Sequence, residues 1–78
     1  MSEQQATATW VFFMLGAARA RLGMTSQAFA RFALERGMMA YLFEHHDLLH
    51  YYDNEYVVDD LLAHLGPERA GGGADRDR

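Results

Sequence analysis

Six large apolar residues in a row, Trp10-Val11-Phe12-Phe13-Met14-Leu15, sit inside a stretch that otherwise reads as helix. A helix apolar on every side is normally buried on every side. The chain has only 78 residues, and a chain of that size buries only about 60% of the surface it exposes when unfolded. Three further short helices can hardly enclose the run. One of its faces is therefore expected to be covered by a second chain. The run is far shorter than the roughly 18 residues a membrane span needs. No basic start precedes an apolar segment, so neither a membrane partner nor a secretory signal is expected. The chain lacks cysteine, which excludes disulfides, thiolate metal sites and a thiol nucleophile. That composition suits a reducing compartment, and a cytoplasmic protein is expected.

Glycines and capping residues punctuate four helical segments. The first is predicted from about Thr7 or Thr9 to Leu22, with Gly23 placed for a left-handed C-cap. Trp10, Phe13, Met14 and Ala17 recur at helical spacing on one face. Val11, Leu15, Ala18 and Leu22 form a second face beside it. Gly16 leaves room for another helix to approach. The second segment runs from about Ser26 to Arg36, between a Thr25 or Ser26 cap and Gly37. Its stripe is Phe29, Phe32 and Ala33, with Arg31 and Arg36 facing water. The third begins near Met38 and reaches about His45 or His46, with Met39, Leu42 and Phe43 pointing inward. Residues 47–53 read either as one more helical turn or as a bent connection. The fourth spans about Glu55 to Leu65 behind an Asp53 or Asn54 cap, with Val57, Val58, Leu61, Leu62 and Leu65 inside and Gly66-Pro67 as its stop. A short strand over Glu55–Val58 competes with it, because Tyr-Val-Val is β-prone. Residues 67–78 are Gly-rich and charged and cannot offset their ordering entropy. The expectation is an all-α fold: a compact bundle of about four short helices over residues 7–66, a frayed N-terminus over 1–6 and a disordered tail over 67–78.

Charge is arranged in blocks. All seven basic residues are arginines, and the net charge is −4. From residue 19 to residue 36, Arg19, Arg21, Arg31 and Arg36 are opposed only by Glu35, whereas Glu44, Asp47, Asp53, Glu55, Asp59 and Asp60 follow with no arginine among them. Such a balance repels nucleic-acid phosphates and favours a partner with a basic patch.

Several constellations invite a chemical reading, and each has a plainer one. His46 and His50 are four apart and Asp53 follows three later. On one continuous helix they would share a face, as a two-His-one-carboxylate metal site requires. The plainer reading makes them helix-end and turn residues, since the helix is expected to break there. Asp59 and Asp60 are adjacent, so on a helix they diverge by about 100° and cannot act as a facing acid–base pair. A solvated acidic face fits better, and with Glu55 it could meet a basic partner. Tyr41, Tyr51, Tyr52 and Tyr56 surround this segment, and Tyr51 or Tyr52 is expected on an exposed contact surface. His64 is expected as a dipole partner in the last turn of the fourth helix. The second and third helices joined at a glycine suggest a helix-turn-helix, but the would-be recognition helix MMAYLFEHHDLLH carries no Arg or Lys. No phosphate-binding glycine loop, HExxH or nucleophile elbow is present. No cofactor and no enzymatic activity are expected.

The pattern G-M-T-S (Gly23–Ser26), F-A-L-E-R-G-M-M-A-Y-L (Phe32–Leu42), D-L-L-H (Asp47–His50) and N-E-Y-V-V-D-D-L (Asn54–Leu61) resembles the small bacterial domain family of unknown function numbered three-seven-nine-one, over about residues 9–65. Members of that family are commonly Lys-rich, unlike this chain. The loop after Leu-His is also different here, reading Tyr51-Tyr52-Asp53-Asn54. Genes of the family often neighbour a second unknown family that resembles ADP-ribosyltransferases, in the manner of toxin and antitoxin. The resemblance implies a small partner protein that binds and restrains such an enzyme. Leu49, His50, Tyr56 and Asp59 are the matching positions. His50 and Asp59 are expected to build a hydrogen-bonded corner, with Leu49 and Tyr56 packed beneath it.

Together these readings predict a non-enzymatic protein–protein interaction module. Its partner is either a second copy, giving a homo-oligomer, or a neighbouring gene product with a basic patch. Trp10, Tyr51, Tyr52, Glu55, Asp59 and Asp60 are the candidate contact residues. A helix-turn-helix DNA-binding regulator and a metal-dependent enzyme using His46, His50 and Asp53 are the alternatives.

Overall fold

The computed structural model of the protein describes residues 2–67, and the expected disorder of the tail falls almost wholly outside them. Four helices follow in chain order: α1 (Glu3–Leu22), α2 (Ser26–Arg36), α3 (Met38–Leu49) and α4 (Asn54–Leu65). The fold is an all-α bundle, and among the described residues no strand forms. Glu55–Val58 is helical because Val57, Val58 and Leu61 meet the core at helical spacing and none of the described residues offers a partner strand.

Residues 2–6, expected to be frayed, open the first helix. Ser2 and Gln5 close a capping box: the Gln5 backbone N–H donates to Ser2 Oγ at 3.1 Å, and the Ser2 backbone N–H donates to Gln5 Oε1 at 3.0 Å. Two backbone donors at the helix start are thereby satisfied, so α1 begins at Glu3, a turn earlier than Thr7. Its other end is the expected one: Gly23 is left-handed (φ 68°) and donates to Ala20 O. At the next boundary a single residue does two tasks. Gly37 (φ 67°) ends α2 and directly precedes α3. Then α3 runs on to Leu49, past the expected stop at His45 or His46, before a short turn reaches Asp53, whose carboxylate caps α4 through Tyr56 N–H at 2.9 Å. Gly66 is buried, and a Cβ there would meet Leu62 O at 2.5 Å.

Longer helices change which side chains turn inward. In α1 the fully buried row is Val11, Met14 and Ala18, with Trp10, Leu15, Ala17 and Leu22 half-buried beside it. Phe13, grouped by spacing with Met14 on one apolar face, is 58% exposed, and Phe12 is 59% exposed. In α3 the buried row is Met38, Leu42 and Leu49, whereas Met39 and Phe43, expected inside, are exposed. The extra turn adds Leu49 to that row, because residues 38, 42 and 49 lie on one face of an uninterrupted helix. The stripes of α2 and α4 are as expected, with Phe29 and Ala33 buried in one and Val57, Val58 and Leu61 in the other. α1 touches all three other helices, and α4 lies against α1 and α3. Arg36 does not simply face water. It donates to Gly66 O at 2.7 Å and lies 4.8 Å from the Phe32 ring centroid, tying the end of α2 to the end of α4.

Candidate functional site: an outer apolar face

Between Gln4 and Ala18 helix α1 carries no charged residue. Only one side of this long uncharged stretch is used by the core. The other leaves Phe12 and Phe13 in solvent, with Ala6, Thr9, Gly16 and Ala20 around them. Beside this face lies an open groove of about 450 Å³ between α1, α2 and the start of α3. Phe12, Leu15 and Gly16 form one wall, Phe29, Ala30 and Leu34 the other, and Met39 lies at the start of α3. Leu34 is 82% exposed. Arg19 and Ser26 are the only polar residues in the lining, and Arg19 already donates to Met24 O at 2.9 Å. Helix periodicity explains the arrangement: residues about 100° from the buried row of each helix converge on the gap that no fourth helix fills.

The acidic residues are less free than a solvated face would have them. Asp59 is paired with Arg21 at 2.6 Å, an exposed contact between α4 and α1. Asp60 accepts from the Tyr41 hydroxyl at 2.8 Å and lies 3.5 Å from His64 Nδ1. The Tyr41 hydroxyl also sits 3.3 Å from His64 Nδ1, so the three side chains form a polar corner between α3 and α4. Burial of Tyr41, reinforced by the Asp60 hydrogen bond and negative charge and by Tyr56, pushes its pKa from 10.0 up to about 12. A phenol that holds its proton so firmly is a hydrogen-bond donor and not a base. Glu55 remains exposed in the first turn of α4, where a carboxylate favours the helix dipole.

The corner expected from His50 and Asp59 is not formed. His50 Nδ1 lies 2.7 Å from its own helix's His46 O, and Asp59 is engaged with Arg21. Leu49 is buried as expected, but Tyr56 is exposed and stacks on Tyr52, with ring centroids 4.4 Å apart. His46 and His50 do share a face and stack at 4.6 Å, while the Asp53 carboxylate is turned to the α4 cap. Among the described residues no three His, Asp or Glu side chains converge as metal ligands would. Trp10 is not an open contact residue: it is half-buried, its ring edge-on to His46 at 5.0 Å. Tyr51 is 79% exposed, and Tyr52 is partly so. The helix-turn-helix reading meets two obstacles. α2 and α3 are separated by Gly37 alone, without the usual turn of three or four residues. The solvent side of α3 shows Met39, Phe43, Glu44, Asp47 and Leu48.

The groove and the polar corner escape a reading of the chain residue by residue. Asp60 and His64 are four apart on α4 and could have been paired from spacing alone. Tyr41 comes from another helix, and nothing local announces it. Among the described residues no helix is long and apolar enough to cross a membrane. No family model matches the chain, and neither a curated protein nor a solved structure matches it.

Proposed function

We propose that the protein is a small, non-enzymatic protein–protein interaction module whose contact surface is the outer face of α1 and the adjoining groove. One observation carries the reading: Phe12, Phe13 and Leu34 stand in solvent on a surface with almost no charge. A connected apolar surface of this kind on so small a domain marks an interaction site, because leaving it in water is unfavourable. A partner helix with two or three apolar anchors at helical spacing suits the groove. The resemblance to the domain family three-seven-nine-one points to an antitoxin-like role toward an ADP-ribosyltransferase-like partner, and the groove offers the surface for it.

The acidic patch is the lesser part of this reading. Asp59 and Asp60 have partners within the fold, so reversing their charge disturbs the α1–α4 and α3–α4 contacts as well as any external one. Leu34→Glu is the cleaner probe, since Leu34 supports no core contact. Co-purification of the tagged chain with the products of its neighbouring genes, followed by titration calorimetry, tests the reading. Binding that Leu34→Glu weakens at least about tenfold is expected. Association insensitive to both Leu34→Glu and Phe12→Glu would remove this surface from consideration.

A further inference from the structure

Resting on that interaction reading, we propose that the partner of the outer α1 face is a second copy of this chain, bound through an antiparallel α1–α1 contact. The exposed residues Ala6, Thr9, Phe13, Gly16 and Ala20 follow one another at spacings of three, four, three and four. That spacing draws one stripe along a helix, the pattern by which two helices interlock. The buried row Val11, Met14 and Ala18 lies on the opposite side. α1 thus carries two apolar stripes, and the fold covers one of them. Thr9 does not spoil the outer stripe, because its hydroxyl donates to Gln5 O at 2.9 Å and its methyl remains for packing.

Gly16 supplies an independent reason. In mid-helix a glycine is less favourable than an alanine. Its φ is not left-handed, and a Cβ at this position would meet nothing within 4 Å. Nothing inside the fold calls for a glycine here. Close approach of a second helix does.

Charge then selects the partner and the direction. Glu3 stands at the N-terminal end of α1, and Arg19 and Arg21 stand at its C-terminal end, with no charge from Gln4 to Ala18. A parallel pair would set like against like at both ends. An antiparallel pair brings Glu3 to the same edge of the stripe as the partner's Arg21, whose exposed guanidinium also meets Asp59 of its own chain, and opposes the two helix dipoles favourably. With a twofold axis at Phe13, Ala6 falls opposite the partner's Ala20 and Thr9 falls within one residue of the partner's Gly16. The one bulky residue of the stripe meets its own copy at the axis, and small residues meet on either side. A self-complementary stripe of this kind is what an isologous dimer requires.

Sedimentation velocity of the full chain across a concentration series up to about 100 μM tests the proposal. A concentration-dependent dimer is expected. Phe13→Glu and Gly16→Leu should each weaken it more than about tenfold while leaving the helical circular dichroism unchanged. Gly16→Leu is the decisive variant, because leucine favours the helix and the space around position 16 is empty within one copy. A wild-type chain that stays monomeric throughout overturns the proposal, and so does a dimer that survives both substitutions. If a monomeric chain still binds a different protein in a manner sensitive to Leu34→Glu, the self-pairing falls and the interaction reading stands.

Discussion

The inner and outer faces of α1 are built from nearly the same residue types, yet only one of them holds the fold together. Val11, Met14 and Ala18 are fully buried against the other helices, whereas Phe12 and Phe13, their immediate neighbours, stand more than half exposed. Apolar character along the sequence therefore does not say where a side chain ends up. Partners do, and α1 has three helices on one side and none on the other. The teaching of the two faces is that an apolar residue left outside a small bundle contributes nothing to folding the isolated chain. It is available to stabilise a contact.

The sharpest way to break this contrast is to truncate both faces. Met14→Ala should lower stability by roughly 2–5 kcal/mol, enough to unfold much of a domain this small. Phe13→Ala should change the dilute protein by no more than about 0.5 kcal/mol. Urea denaturation of the two variants at low concentration measures both. Equal losses would mean that Phe13 is a core residue after all.

A second contrast sets two glycines against each other. Gly37 has φ 67°, where an L side chain is strained, so Gly37→Ala should cost about 1–2 kcal/mol. Gly16→Ala should raise the stability of the dilute chain by about 0.5–1 kcal/mol, because only helix propensity is at stake within one copy. Opposite signs of the two shifts in thermal midpoint check the pair.

The polar corner at Tyr41 adds a smaller effect with a distinctive pH signature. Tyr41→Phe removes the hydrogen bond to Asp60 and should cost about 1 kcal/mol at neutral pH. The folded chain holds the phenol proton more tightly than the unfolded chain does. Its contribution is therefore complete below the ordinary value of 10.0 and is lost as pH rises from there through about 12. Stability of the wild type should fall across that window by more than that of Tyr41→Phe, as denaturation at alkaline pH would show. Least of all should depend on the exposed Arg21–Asp59 pair. Asp59→Asn is expected to cost only about 0.2–1 kcal/mol, with the difference vanishing in high salt.

Helix number and most boundaries were legible because they depend on local chemistry. Gly23, Gly37 and Thr25 act on their own neighbours, and each does what its type suggests. The capping box at Ser2 and Gln5 was equally local, and its S-x-x-Q spacing was open to reading. The inward faces were less legible. A six-residue apolar run has no polar residue to break its symmetry, so Phe13 and Met14 look alike until neighbouring helices choose between them. In α3 the buried row is Met38, Leu42 and Leu49, and Leu49 joins it because the helix runs on past His46. The candidate site was legible as an excess of apolar surface and not as a location. Trp10, the most conspicuous residue of the run, lies half-buried beside His46, and Leu34 draws no notice in sequence although it stands 82% exposed at the groove. Asp59 and Asp60 looked like a free acidic patch because Arg21 and Tyr41 lie far away along the chain.

The thermal midpoint of the Phe12→Ser, Phe13→Ser double variant, recorded beside wild type at a dilute and at a concentrated condition, addresses the division of α1 most directly. The variant should match wild type when dilute and should lack the rise in midpoint with concentration that wild type shows. A variant that melts well below wild type even when dilute would show that both faces serve the fold, and would contradict the account.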